Sequence, residues 1–344
     1  MESAHLATTI ERSNALAEWL KSCSGLTLTS MQAMPGDASL RRYFRIITTN
    51  GSFVAMDAPP PRENCRPFVA IAKALRAIKL NAPEIIAADL EQGFLLLTDF
   101  GDLTYLKASK EANAQQIYQN ALDALLVLQT CNQVEDHTVP IFTAEFMQQE
   151  WAWHKEWFLD KWLGLTLSLQ QEQGLDQCMT TVIQAIAAQP QVFMHRDYHS
   201  ANLMVLPDNG VGILDFQDAF IGPFTYDLVS ILRDCYVSLP EKQVSAWALA
   251  YWQNWQQVNK VRAISDDIFI RWFDWMGIER HIKALFTFAR KNVRDHQATY
   301  LQHVPRTLAH IINASGKYKE LAPLHDYYQR IVLPQVELTL PCAP

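Results

Sequence analysis

His195-Arg196-Asp197-Tyr198-His199-Ser200-Ala201-Asn202, followed further along the chain by Asp215-Phe216, is the stretch that decides how this sequence is interpreted. Its pattern is H-x-D-x-x-x-x-N and then D-F. The pattern contains two carboxylates, Asp197 and Asp215, and one amide, Asn202, and residues 203–214 connect Asn202 to Asp215. Pro207-Asp208-Asn209-Gly210 in that connection predicts a β-turn. Because the turn would return the chain, we expect the side chains of Asn202 and Asp215 to reach the same point.

Phosphoryl transfer is the chemistry that this set of side chains fits. It requires a carboxylate that orients and deprotonates the attacking hydroxyl, and oxygen ligands for the metal ion that neutralises the phosphates. Asp197 suits the first role, and Asn202 and Asp215 suit the second because Mg²⁺ prefers hard oxygen donors. We therefore predict Asp197 as the catalytic base, Mg²⁺ at Asn202 and Asp215, and ATP as co-substrate. The alternative is an Asp and an Asn that only satisfy the backbone of turns.

Two further polar residues near this stretch are predicted to be structural. His195 is expected to brace the loop through hydrogen bonds rather than to act as a base. Asp227 precedes the apolar residues 228–232, so it can cap a helix or anchor the loop.

The pattern of the chain changes near Gly101. Before it, short segments rich in β-branched and aromatic residues predict strands at 43–48, 52–56 and 94–98, and apolar residues at helical spacing predict a helix over 68–80. After it, helical periodicity predicts helices over 113–130, 143–163, 175–188, 243–257 and 267–303. Extended segments at 192–194, 203–206 and 211–216 interrupt the helical part.

This order of elements is that of a kinase. We predict an α+β class and a two-lobed, protein-kinase-like fold. Residues 1–101 would form a nucleotide-binding lobe with a small antiparallel sheet. Residues 102–344 would form a helical lobe with the catalytic loop, the metal site and the substrate pocket.

Composition restricts the partners of the chain. It has 344 residues, 49% of them hydrophobic, and 29 basic against 36 acidic residues give a net charge of -7. That charge opposes nucleic-acid binding. No segment resembles a membrane span or an export signal, so we expect a cytoplasmic protein that binds neither nucleic acid nor membranes. The six cysteines form no CxxC pair, and no pattern indicates the oligomeric state.

The loop His195, Asp197, His199 and Asn202 resembles that of the aminoglycoside phosphotransferase and choline kinase-like superfamily. Protein kinases usually carry Lys where this chain has His199, and no Ala-Pro-Glu follows Asp215-Phe216. A protein substrate is therefore disfavoured. The resemblance, over about residues 30–310, implies the base, the magnesium ligands and the Asp227 anchor already named.

Shorter strings are similar to the bacterial anomeric amino-sugar kinases of cell-wall recycling. They are residues 36–45, 56–60, 232–236 and 280–283. That resemblance implies an N-acetylated amino sugar, N-acetylmuramate or N-acetylglucosamine, as the small-molecule substrate and a sugar 1-phosphate as product. From these strings we predict substrate contacts for Arg233, Asp234 and Arg280.

The predicted nucleotide site departs from the wider kinase pattern. Gly36 and Ser39 would form the phosphate-covering loop, which has one glycine where many kinases have several. Asp57 stands where a third-strand Lys is expected. Either Arg41 or Arg42 would supply the compensating cation, or Mg²⁺ and backbone donors would hold the nucleotide. By resemblance, adenine would bond to the backbone between Leu97 and Asp99.

A cationic stripe is predicted on the last long helix. Arg280, Lys283, Thr287, Arg290 and Arg294 recur at steps of three and four. The stripe could be a solvated face, or Arg290 and Arg294 could bind the lactyl carboxylate of N-acetylmuramate.

Two alternatives to the amino-sugar kinase stay open. One is the same fold acting on an aminoglycoside or choline, for which the tryptophans between residues 151 and 162 could build an aromatic pocket. The other is a nucleotide-binding pseudokinase that regulates a partner, which the missing Lys would suit.

Overall fold

A computed structural model describes residues 2–23, 27–35, 40–110, 114–260 and 264–340 of the chain. They divide into two compact units. The sheet unit comprises Met1–Thr104, Gln133–Thr138 and Leu203–Asp218, and the helical unit comprises Tyr105–Asn132, Val139–Asn202 and Ala219–Pro344. The sequence assigned residues 102–104, 133–138 and 203–218 to the helical part, so the observed division differs there.

The sheet unit contains five antiparallel strands in the order β1-β2-β3-β5-β4. Their bounds are β1 Leu28–Ala33, β2 Arg42–Thr48, β3 Gly51–Asp57, β4 Ile85–Asp89 and β5 Phe94–Thr98. Alternate residues of β2 are buried, as expected for a strand with one face on a core. Helix α1 (Glu2–Cys23) contributes Leu16 and Leu20 to this core, and α2 (Arg66–Ala77) buries Phe68 and Ile71.

A hairpin of β7 (Leu203–Val205) and β8 (Val211–Ile213) belongs to the sheet unit. Its backbone explains why: Val205 N donates to Leu103 O at 2.8 Å, and Ile213 N donates to Asn81 O at 2.9 Å. Gly212 allows this close packing, because a β-carbon there would lie 2.8 Å from the Phe100 ring. The predicted turn joins the two strands.

The helical unit is organised around one long helix, α9 (Asp266–Asp295), whose residues 273–282 are all buried. The other α-helices are α3 Tyr105–Ala108, α4 Ala114–Leu128, α5 Ala144–His154, α6 Leu169–Ala187, α7 Thr225–Leu232, α8 Glu241–Asn259, α10 Val304–Ser315, α11 Ala322–Tyr327 and α12 Leu333–Thr339. Helix α5 continues as a π-helix, Lys155–Trp162. Strands β6 (Gln191–Met194) and β9 (Phe220–Pro223) pair antiparallel. The loop of residues 195–202 begins directly after β6.

The predicted α+β class, with a small antiparallel sheet and a larger helical part, is confirmed. The helix predicted over 267–303 ends at Asp295, because His296 takes a left-handed backbone with φ of 56°. Strand β9 was not predicted, since Gly222 and Pro223 interrupt its pattern. Helix α1, strands β1 and β4 and the helices after residue 304 were also not predicted. None of the described helices has the length and hydropathy needed to cross a membrane.

Candidate active site

The loop after β6 has a strained start. Arg196 has φ of 77°, a left-handed conformation that non-glycine residues rarely adopt. Such strain persists only where surrounding contacts fix the backbone, and it is common at functional sites. His195 beside it is fully buried. Its Nδ1 accepts a hydrogen bond from the backbone N–H of Asp197, with 3.2 Å between the two nitrogens.

Asp227 of α7 fixes the beginning of the loop. Its carboxylate accepts hydrogen bonds from the backbone N–H of His195 at 2.7 Å and of Arg196 at 3.0 Å. Burial raises the pKa of Asp227 to about 7, while the two N–H donors act in the opposite direction. Asp227 therefore holds the turn that leads into Asp197.

Asp234 fixes the far end of the same loop. One carboxylate oxygen accepts from the backbone N–H of Ser200 at 2.9 Å, and the other accepts from that of Tyr236 at 2.8 Å. Between these two anchors, the Tyr198 hydroxyl donates to the Ala121 carbonyl of α4 at 2.8 Å. Three buried side chains thus hold eight residues of irregular backbone in one conformation.

Asp197 presents its carboxylate beside a cation. Lys283 of α9 donates from Nζ to Asp197 Oδ1 at 2.7 Å. Burial alone would raise the pKa of Asp197, but the Lys283 ammonium holds it well below its ordinary value. The side chain keeps 29% of its accessible surface, so a substrate group can reach this ionised carboxylate.

The predicted magnesium ligands have suitable donor atoms. Asn202 donates from Nδ2 to the Asp197 carbonyl at 3.0 Å, so its amide oxygen is the atom that could ligate a cation. Asp215 has φ of 62° and accepts from Gln217 Nε2 at 2.8 Å. A carboxylate and an amide oxygen fit Mg²⁺. Asn202 lies in the helical unit and Asp215 in the sheet unit.

Arg196 belongs to a second group of charged side chains, together with the buried Glu150 and Glu279. The Arg196 guanidinium lies over the Phe146 and Phe220 rings and pairs with Glu150 at 3.3 Å. Burial and the neighbouring Glu150 raise the pKa of Glu279 well above its ordinary value. The Arg196 guanidinium thus pairs with Glu150 and not with Asp197, the next residue in the chain.

The predicted nucleotide-binding residues lie in the sheet unit. Arg42 pairs with Asp57 of β3, which Arg12 of α1 also contacts, and Arg41 pairs with Glu63 at 3.0 Å. Both predicted cations thus have carboxylate partners. Gly36 and Ser39 lie outside the described residues.

The backbone segment predicted to contact adenine is partly ordered by side chains. Leu97 is a buried residue of β5. Asp99, just after that strand, accepts from Arg45 Nε at 2.7 Å.

The predicted substrate-binding residues differ in their surroundings. Arg233 pairs with Asp274 at 2.8 Å, and Arg280 donates from Nε to Ser230 Oγ at 2.6 Å; both arginines are buried. Asp234, as described, bonds two backbone groups. Arg290 is half-buried, and Arg294 is exposed and paired with Asp295 at 2.7 Å. Arg290 and Arg294 are thus the two of the five that a solute can reach most readily.

Two contacts of this site were not predicted from the sequence. The Lys283 ammonium was placed in the cationic stripe, but nothing indicated Asp197 as its partner, 86 residues away. Likewise Arg12 was not linked to Asp57. A buried carboxylate in the position of a usual Lys was the available signal that a cation must come from elsewhere.

Comparison with known proteins adds a consistent set of similarities. The Phosphotransferase enzyme family matches residues 30–264. The N-acetylmuramate/N-acetylglucosamine kinase of Pseudomonas putida is 42% identical over 297 residues, which cover 86% of this chain and 87% of that protein. The N-acetylmuramate/N-acetylglucosamine kinase of Pseudomonas aeruginosa is 39% identical over 292 residues, 84% of this chain and 85% of that protein.

The fold also resembles solved structures. A choline kinase of Streptococcus pneumoniae superposes with a TM-score of 0.58 at 11% identity, over 90% of this chain and 99% of that one. At that identity the likeness concerns the fold alone, and it confirms the predicted protein-kinase-like fold.

Proposed function

The chain belongs to the Phosphotransferase enzyme family, and from that membership we propose that it is an ATP-dependent kinase acting on an N-acetylated amino sugar. The observation that carries this proposal is the 42% identity to an N-acetylmuramate/N-acetylglucosamine kinase across 86% of the chain. We further propose that the anomeric hydroxyl is the acceptor and that the sugar 1-phosphate serves cell-wall recycling. A cytoplasmic location is part of the proposal, because ATP is the donor.

The geometry around Asp197 supports a role as the base. The hydroxyl oxygen bonds to the γ-phosphorus of ATP as the bond from that phosphorus to the departing ADP oxygen breaks, and the hydroxyl proton passes to Asp197. Because little covalent chemistry is left to the protein, the rate depends on the position and charge of its side chains. The anchored loop supplies that position, since Asp227 and Asp234 bond backbone on both sides of Asp197.

Asn202 and Asp215 are the residues we propose to hold Mg²⁺. The ion would supply positive charge against the phosphate oxygens of ATP. Asp215, as an anion, would contribute more to binding than the neutral Asn202. Both proposals rest on donor type and on the sequence pattern.

Arg290 is our candidate for the carboxylate of N-acetylmuramate. Its Nε is buried and has no hydrogen-bond partner among the described residues. Burial lowers its pKa, and the nearby Arg294 acts in the same direction. An arginine with one unpartnered N–H and a neighbouring cation favours an incoming carboxylate.

Product analysis tests the function. The protein is incubated with Mg·ATP and either N-acetylglucosamine or N-acetylmuramate, and the product is examined by ³¹P NMR. A phosphate resonance coupled to the anomeric proton is the expected result. Turnover only with choline or an aminoglycoside would contradict the proposed substrate, and Mg·ATP binding without any turnover would indicate a pseudokinase.

A further inference from the structure

The two carboxylate oxygens of Asp197 are in different situations. Oδ1 accepts the Lys283 ammonium at 2.7 Å. Within the described part of the chain, Oδ2 accepts no hydrogen bond from protein, and the side chain is partly accessible. The bond to Oδ1 restricts rotation of the carboxylate and leaves Oδ2 for another donor.

We propose that Lys283 is the positioning residue of the catalytic base: it holds Asp197 Oδ1 so that Oδ2 receives the proton of the substrate hydroxyl. The proposal rests on the kinase function proposed above. It assigns to α9 a part in catalysis that the loop motif does not contain.

The other cations near Asp197 cannot do this. Arg196 is directed toward Glu150 and two aromatic rings. The His199 ring lies edge-on to Tyr236, and its Nδ1 has no hydrogen-bond partner among the described residues. Among the described residues, Lys283 is the cation that bonds the carboxylate directly.

The position of Lys283 is itself well determined. It follows the buried segment of α9, and its side chain is only 15% exposed. Glu279, one helical turn earlier, does not bond Lys283: neither of its buried carboxylate oxygens has a hydrogen-bond partner among the described residues. The Lys283 charge is therefore directed to Asp197.

Kinetics of three single variants test the proposal first. Lys283→Met should lower kcat about 10²-fold, the lower end of what positioned proton transfer contributes. The Michaelis constants for ATP and sugar should change only a few-fold, since the pair acts on the transferring proton. Lys283→Arg should recover part of the rate because it keeps the charge. Lys291→Met, on the same helix but over the Tyr300 ring, is the matched control and should behave as wild type.

The decisive measurement is the double variant Lys283→Met with Asp197→Asn. If Lys283 acts through Asp197, the double variant is no slower than Asp197→Asn alone. Multiplying effects, or a Lys283→Met variant with wild-type kcat, would overturn the proposal. Should Lys283→Met fail to fold, Lys283→Gln replaces it in the same cycle.

The same cycle on sugar-independent ATP hydrolysis separates this inference from the proposed function. Water then takes the place of the sugar hydroxyl. If the protein turns over no sugar but the effects of the two substitutions on ATP hydrolysis are non-additive, the proposed substrate is refuted and the role of Lys283 is supported. Sugar turnover with a multiplicative cycle would do the reverse, and a protein inactive in both assays would contradict both proposals.

Discussion

The Asp234→Asn substitution tests whether the buried Asp234 carboxylate binds the substrate or anchors the backbone of the loop. The sequence strings suggest a substrate contact, whereas the structure has both oxygens bonded to backbone N–H groups of Ser200 and Tyr236, with the side chain 1% exposed. The substitution keeps the size of the side chain and replaces one acceptor by an NH₂ group. In the variant, the new NH₂ group therefore faces a backbone N–H, and these two donors meet in a buried place.

The size of the effect follows from the bonds. Two hydrogen bonds to a charged group contribute about 1.5–3 kcal/mol each. Asparagine retains one of them as a neutral bond of about 1 kcal/mol and leaves the other N–H without an acceptor. We expect a loss of about 2–5 kcal/mol in the free energy of unfolding, together with a lower kcat because the loop around Asp197 loses one anchor.

Urea unfolding followed by tryptophan fluorescence measures the first quantity, and initial rates with Mg·ATP and N-acetylglucosamine measure the second. Asp208→Asn is the matched control, since Asp208 also accepts a backbone N–H, from Gly210 at 2.8 Å, but in an exposed turn. Its free energy of unfolding should change by less than about 0.5 kcal/mol. An Asp234→Asn variant as stable as this control, with a raised Michaelis constant for sugar and unchanged kcat, would make Asp234 a substrate ligand and refute the argument.

Three further predictions concern the nucleotide, the acceptor atom and the sugar carboxylate. Asp215→Ala should lose magnesium-dependent ATP binding in calorimetry, and Asn202→Ala should weaken that binding less. Normal ATP binding by Asp215→Ala would show that Asp215 is not a magnesium ligand. A methyl glycoside blocked at the anomeric carbon should be inert; its phosphorylation at the parental rate would indicate another hydroxyl. Arg290→Ala should raise the Michaelis constant for N-acetylmuramate about ten- to a hundred-fold more than for N-acetylglucosamine. Arg294→Ala should do so less because Asp295 already pairs with it, and equal effects of Arg290→Ala on both sugars would return Arg290 to a solvated face.

The parts of the site that sequence reasoning could reach are local. The spacing of Asp197 and Asn202 is set by a few residues of one loop, and the turn between β7 and β8 is set by Asn209 and Gly210, so short-range patterns suffice. Helical periodicity likewise predicted a helix over 267–303, and α9 (Asp266–Asp295) covers most of that range.

The rest depends on tertiary placement. The bond from Lys283 to Asp197 joins a helix to a loop 86 residues earlier, and no periodicity encodes which loop a helix faces. The interior location of Arg233 and Arg280 was also hidden, because no local pattern shows whether an arginine bonds to a buried Asp274 or Ser230 or faces water.

The buried Asp57 has a consequence for what can exist as an autonomous fragment. The Phosphotransferase enzyme family matches residues 30–264, yet Arg12 lies before that span and Lys283 beyond it. A fragment trimmed to the matched span would keep Asp57 with one of its two guanidinium partners, and leaving a buried charge incompletely paired is costly. It would also hold Asp197 without an ammonium. The span that matches the family is therefore shorter than the span from Arg12 to Lys283 that holds both ion pairs.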